Sequence, residues 1–321
     1  MPGNASRRTF LHGTGIALAG SLVARTAAAD EDVEGEKDED DEREDELEMD
    51  SPSLIAHRGF AGMYPENTVG AVRNATRGPN AADMVEIDVM ATADDKVVVF
   101  HDDGLAERDG GTQGLTDVSG LVWETPWDTV KEAEVLESGE LVPSLEQVMD
   151  ALPGNVGVNV EFKNPGSPNT KFAANLSGAD LEDQKALWEP FAENVFDVLD
   201  DYHNDVLVSS FYEGALAAVS DVAPDVPLGT LFWDDLEKGL DITRTYDCEA
   251  IHPPKNMVKG TPFFGDEYYL EGPFADVDLV SVAHEEGREV NVWTIATWYE
   301  AMQLEQAGVD GIIADYPFGD Q

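Results

Sequence analysis

MVEIDVMATADDKVVVFHDD, residues 84–103, is the stretch on which the reading of this 321-residue chain turns. Residues 85–89 alternate in polarity, so Glu86 and Asp88 share one face of a strand. Asp94, Asp95 and Lys96 read as a turn, and the β-branched run over 97–100 returns toward His101. Antiparallel pairing about that turn puts His101 opposite Asp88, about 5 Å away across the strands. Two acids and an imidazole then converge. A strand with one solvated acidic face, followed by a histidine in a turn, has the same local pattern, so the flanking segments have to decide between the readings.

Outward from this stretch, strands and helices alternate. Residues 53–57 form a strand, and 66–77 a helix opened by Pro65. The strand over 84–89 comes next, with its hairpin beyond it. Residues 104–142, which contain Trp123 and Trp127, carry little periodicity and read as an inserted loop region. Ser144 caps a helix reaching Leu152. Strands follow over 156–163, 206–211, 228–232, 250–252, 289–295 and 311–314, with helical patterns over 181–202, 213–222, 234–244, 274–286 and 298–306. Setting aside the hairpin's return strand leaves eight parallel strands in about 270 residues, the signature of a (β/α)₈ TIM barrel. No internal repeat supports a solenoid.

A barrel of this kind gathers its chemistry at the C-terminal ends of its strands, and ionisable residues collect there. The first strand ends at His57 and Arg58, the second carries Glu86 and Asp88, the hairpin returns His101, and the third ends with Glu161 and Lys163. Three carboxylates facing one cavity repel one another unless a cation sits among them. A hard divalent ion with oxygen ligands, calcium or magnesium, is the natural partner. Two histidines beside such an ion suit general acid and base work, since imidazole titrates near working pH. The Arg58 guanidinium offers a fork that fits phosphate oxygens.

Composition bounds the rest. With 19 Lys and Arg against 66 Asp and Glu, the formal net charge is -47, which excludes a nucleic-acid backbone as partner. Fifteen of the acids and five of the bases lie in the first 50 residues, which leaves the remainder at -37. A protein this acidic repels itself unless salt screens it, so a salt-adapted, halophilic source is expected. The single cysteine, Cys248, forbids an internal disulfide. Residues 1–29 hold SRRTFL at 6–11, a short apolar run and an AAA cleavage site. They resemble a twin-arginine signal and imply export to the cell surface or beyond. The acidic block over 30–50 reads as a disordered spacer, and 51–321 as the barrel domain. No stretch is suited to stable membrane insertion. Oligomeric state is open.

Three segments, IAHRGFAGMYPENT at 55–68, EIDVMATADDKVVVFHDDGLAER at 86–108 and VNVEFK at 158–163, together resemble the glycerophosphodiester phosphodiesterase family. The likeness continues through 207–211, 290–294 and 308–317. It implies that His57 and His101 are the catalytic pair, that Arg58 and Lys163 contact the substrate phosphate, and that Glu86, Asp88 and Glu161 bind the metal. Glu66 matches the acid of the family's PEN turn, a supporting position, and Phe211 and Trp293 match aromatic walls against the glycerol carbons. The implied reaction hydrolyses glycerophosphodiesters to glycerol 3-phosphate and an alcohol. Gly104, Arg108-Asp109 and Ala296 depart from the usual residues at their positions, which bears on substrate preference. Alternatives are a phospholipase D-like or phosphoinositide-type enzyme acting on intact lipid, against which stands the absence of a basic amphipathic stretch, and an exported protein that binds phosphodiesters or calcium without turnover.

Overall fold

The computed structural model describes residues 51–106, 115–266 and 277–318. The export signal, the acidic spacer and the Arg108-Asp109 departure lie outside the described residues. Eight parallel strands close on themselves: β1 (Ser53–Ala56), β2 (Met84–Ala91), β4 (Gly157–Asn164), β5 (Val206–Ser210), β6 (Leu228–Leu231), β7 (Ala250–His252), β8 (Glu289–Ile295) and β9 (Gly311–Ala314). Closure rests on β1, whose residues pair in parallel with β9 on one side and β2 on the other. The return strand β3 (Val97–Val99) adds antiparallel to β2 outside the ring. The expected TIM barrel with a hairpin after its second strand is the fold observed.

The hairpin's register differs from the expected one by a residue. Val89 pairs with Val99, and the Phe100 amide donates to the Asp88 carbonyl at 2.9 Å, so Phe100 and not His101 lies opposite Asp88. The reason lies in what the faces bury. Val97 and Val99 are buried with Val89 and Ala91 on one face, and Val98 and Phe100 with Met90 on the other, and a one-residue slip would exchange the two sets. His101 lies past the end of β3, where the chain has left the ladder.

Helices flank the strands where apolar periodicity places them: α1 (Val69–Ala75), α3 (Leu145–Met149), α4 (Ala179–Leu199), α5 (Glu213–Val222), α6 (Leu236–Thr245), α7 (Leu279–Glu285) and α8 (Trp298–Gln306). Several starts are fixed by caps. Thr68 accepts from the Ala71 amide, which moves the start of α1 past Glu66, and Ser144 and Thr297 each close a capping box on α3 and α8. The largest buried side chain, Trp188 of α4, lies against Phe162 of β4 with ring centroids 6.3 Å apart. In the region between β3 and α3, which also holds α2 (Trp127–Val130), an apolar cluster including Leu105, Val122, Val130 and Val142 packs against Met90, Val98 and Phe100. The insertion is therefore anchored on the outer face of the hairpin. Among the described residues no helix is long and apolar enough to cross a membrane.

Candidate active site

The strand period brings the three acids together. Asp88 of β2 registers with Glu161 of β4, and Glu86 lies two residues earlier on the same face. One carboxylate oxygen from each of Glu86, Asp88 and Glu161 lies within 4.8 Å of the others, and all three side chains are buried. Burial, reinforced by Asp88 and Glu161, holds the Glu86 carboxyl well above the usual carboxylate range, with Arg58 only partly offsetting it. Burial likewise raises Glu161, against the pull of Lys163. Glu86 Oε1 and Asp88 Oδ1 are buried without a hydrogen-bond donor. Buried carboxylate oxygens in that condition are costly, and three hard oxygen donors so close together fit a divalent ion such as calcium or magnesium.

Cations of the chain itself rim the acids. The Arg58 amide donates to Glu86 Oε2 at 2.8 Å, its Nη1 donates to Glu66 Oε1 at 2.8 Å, and its Nε lies 3.3 Å from Asp88 Oδ2. Glu66 thus holds one end of the Arg58 guanidinium. Arg58 sits at φ 50, ψ 29, a left-handed conformation that costs a non-glycine residue roughly 1–3 kcal/mol. That conformation turns both the amide and the side chain of one residue toward the acids. Lys163 donates to Glu161 Oε1 at 2.8 Å and reaches His101 Nε2 at 3.0 Å. Burial alone would lower the Lys163 ammonium, but Glu161 and Asp88 together raise it, so it is charged at neutral pH.

Each histidine is held by a carboxylate. His57 Nδ1 lies 2.6 Å from Asp315 Oδ1, and His101 Nδ1 lies 3.0 Å from Asp102 Oδ1. A carboxylate accepts, so both Nδ1 atoms carry the proton and both Nε2 atoms present a lone pair. At His101 that lone pair faces the Lys163 ammonium. Burial and the neighbouring Arg58 charge lower the His57 pKa, more than Asp315 raises it, which keeps its imidazole neutral at pH 7.

Two aromatic rings expected near the site are beside it. Lys163 Nζ stands 5.7 Å from the Phe211 ring centroid, and Phe211 meets Trp293 edge-on at 5.6 Å. Of the ten residues singled out from the sequence, Glu86 lies inside β2, and the other nine lie in the second half of a strand or in the segment that follows one.

Sequence reasoning passed over five contributors, of which Asp102 is the neighbour of His101 that holds its ring. Asp315 is the first residue after β9, so the strand-end rule applied to the last strand could have found it. Asn67 donates from Nδ2 to Asp88 Oδ2 at 2.8 Å and accepts from the Asp88 amide at 3.2 Å, fixing the central acid; nothing in its spacing signals this. Trp233 and Phe172 extend the aromatic wall, with Trp233 stacked on Trp293 at 6.4 Å and Phe172 5.1 Å from Phe211.

Comparison with known proteins places this geometry. A family profile described as the glycerophosphoryl diester phosphodiesterase family matches residues 57–318. A glycerophosphodiester phosphodiesterase of Bacillus altitudinis is 27% identical over 277 residues, covering 82% of this chain and 94% of the relative. One from Caldanaerobacter subterraneus subsp. tengcongensis is 26% identical over 276 residues, with coverage of 82% and 94%. Among solved structures, an Oleispira antarctica phosphodiesterase in complex with the product sn-glycerol-3-phosphate superposes with a TM-score of 0.65 at 26% identity, covering 83% of this chain and 94% of that one.

Proposed function

Since the chain belongs to the glycerophosphoryl diester phosphodiesterase family, we propose that it hydrolyses glycerophosphodiesters to glycerol 3-phosphate and an alcohol by histidine acid-base catalysis beside a bound divalent cation. The observation that carries this reading is the buried triad of Glu86, Asp88 and Glu161, flanked by Arg58 and Lys163 and by two carboxylate-held imidazoles.

Glu86, Asp88 and Glu161 would hold the cation, calcium or magnesium, which when bound draws charge from a phosphoryl oxygen. Arg58 and Lys163 offset the charge that grows on the remaining equatorial oxygens, from fixed positions that cost no reorganisation during the reaction. One histidine, neutral at Nε2, takes the proton of the attacking hydroxyl, and the other, protonated at Nε2 as well as Nδ1, gives that proton to the departing alcohol; water as attacker yields glycerol 3-phosphate directly, whereas the substrate's own glycerol 2-hydroxyl yields a cyclic phosphate that water then opens with the two roles exchanged. Asp315 and Asp102 keep each ring in the tautomer that leaves Nε2 for this exchange. Phe211 and Trp293 pack against the glycerol carbons.

The test is turnover of glycerophosphocholine, with glycerol 3-phosphate measured as product. Activity is expected to vanish on chelation and return with calcium or magnesium. Turnover indifferent to a chelator would overturn the cation's part, and binding without product would leave a capture protein instead of an enzyme. We further infer from the sequence that residues 1–29 direct export by the twin-arginine route, which predicts a secreted protein that begins after Ala29 and stays inside the cell when Arg7 and Arg8 are replaced by Lys.

A further inference from the structure

Beyond the export signal the chain carries two Asn-X-Ser/Thr sequences, Asn74-Ala75-Thr76 and Asn175-Leu176-Ser177, the acceptor pattern for attachment of a sugar to an asparagine amide. Neither has a part in the chemistry described above. Transfer needs the amide nitrogen and the hydroxyl two residues on to be reachable together, in backbone that an enzyme can grip. Proteins carried by the twin-arginine route cross the membrane folded, so a transferase outside the membrane meets the finished surface. The two sequences are presented there very differently.

The first is closed by its own helix. Asn74 is in the last turn of α1, where residues two apart do not share a face. Its Nδ2 donates to the Gly70 carbonyl at 2.7 Å, and the Thr76 hydroxyl donates to the Val72 carbonyl at 3.0 Å. Both reacting groups are occupied.

The second is open. Residues 174–177 lie in the connection between β4 and α4, outside any helix or strand, and Asn175 and Ser177 are exposed. Among the described residues neither side chain makes a hydrogen bond. The backbone on both sides of the acceptor is anchored. The Ala173 amide donates to the Phe211 carbonyl at 3.2 Å, and the Leu176 amide donates to the buried Glu213 carboxylate, which also accepts from the Tyr246 hydroxyl at 3.1 Å. The acceptor is thus held out from a fixed loop, the kind of surface segment on which modification concentrates. Phe172 lies three residues before it. That ring packs on Phe211 and Tyr212 with centroids 5.1 and 5.5 Å away, yet 44% of the residue stays exposed. Ala173 has φ 45, a left-handed turn between the ring and the acceptor. An exposed ring so close in the chain suits the first sugar, because the slightly positive C–H face of a pyranose packs on the negative face of an aromatic ring.

We infer that Asn175 is N-glycosylated in the exported protein and that Asn74 is not. In the transfer, Asn175 Nδ2 bonds to the anomeric carbon of a sugar carried on a polyprenyl phosphate or pyrophosphate. The bond from that carbon to the phosphate oxygen breaks, the lipid phosphate leaves, and one amide proton passes to the transferase. The inference rests on the export reading above, and it adds a covalent modification to the loop that carries Phe172.

The protein is isolated by an affinity tag, separately from the culture medium and from the cells of the organism that makes it, and weighed intact and as tryptic peptides. The secreted chain is expected to be heavier than its sequence by one glycan, carried on peptide 172–185. Asn175→Gln and Ser177→Ala should each remove all of the added mass, whereas Ser177→Thr and Asn74→Gln should keep it. A secreted protein with the mass of the bare chain would overturn the inference and leave the export reading standing. A glycan on Asn74, or added mass that survives Asn175→Gln, would overturn it as well. Protein found only inside the cells and unmodified would sink both readings; protein found there with the glycan on Asn175 would sink the export reading alone.

Discussion

Asp315 and Asp102 leave their histidines one tautomer each, and the proposed chemistry depends on that restriction. His57→Ala and His101→Ala are each expected to lower kcat by about 10²–10⁴-fold, with a thermal midpoint close to that of the wild type because both rings are partly exposed at the mouth. Asp315→Asn keeps the shape of the pair but lets the amide donate to Nδ1, which turns the ring to the wrong tautomer; a loss of at least tenfold in kcat with KM little changed is expected. The acids make a separate prediction. Glu86 and Glu161 have carboxyls raised by burial, so their ionisation costs the folded state stability. That cost is present above their raised pKa and is relieved as pH falls through it and they take up protons. A divalent cation removes the same cost at neutral pH. Calcium or magnesium should therefore raise the melting temperature at pH 7, and the gain should shrink as pH falls below neutrality toward the ordinary carboxylate range. Glu86→Gln should abolish the gain without lowering the melting temperature of the cation-free protein. A full cation-induced shift in that variant would count against the triad as ligands.

The element that aims the site is the tight turn after β1. Gly59 has φ +77, and a Cβ there would come within 2.8 Å of the Ala71 Cβ in α1. Gly59→Ala combines a left-handed backbone worth about 1–2 kcal/mol with a clash against a buried helix. Urea unfolding should show a loss of at least about 2 kcal/mol, and kcat should fall as well, since His57 and Arg58 immediately precede the strained position. Caps act more locally. Ser144 accepts from the Gln147 amide, and Gln147 Oε1 accepts from the Ser144 amide in return. Ser144→Ala is expected to cost about 1 kcal/mol and leave activity unchanged, because α3 lies behind the hairpin and away from the mouth. Equal stability of that variant in urea would show that tertiary contacts alone hold α3 in place.

Charge belongs to the molecule as a whole. The residues beyond position 50 carry a formal net charge of -37, and two of their few bases, Arg58 and Lys163, are committed to the acidic triad. The remaining surface repels itself. Screening contracts from about 8 Å at physiological salt to about 3 Å at 1 M, so we infer a protein adapted to high salt. Its urea midpoint should rise steadily between 0.1 and 2 M potassium chloride; a flat response would mean that the acids are already balanced within the fold. Barrel closure through β1 also joins the site to global stability, since His57 and Arg58 follow the strand that seals the ring and Asp315 follows its neighbour β9.

Local pattern was enough to recognise eight strands, their alternation with helices and the two-residue spacing that sets Glu86 beside Asp88 and Glu161 beside Lys163, because side-chain direction along a strand follows from adjacent residues. The bounds of β7, β8, β9, α5 and α8 agree with the periodicity for the same reason. Register was different. Which residue of the return strand faces Asp88 depends on Val98 and Phe100 being buried beneath the insertion while Val97 and Val99 join the main core, and the turn alone misplaced His101 by one position. The partnership of His57 with Asp315 spans 258 residues, and the meeting of Phe172, Phe211, Trp233 and Trp293 needs four strand ends brought around a ring. Contacts of that kind exist only once the barrel has closed, since closure and not sequence proximity sets the distances between strands.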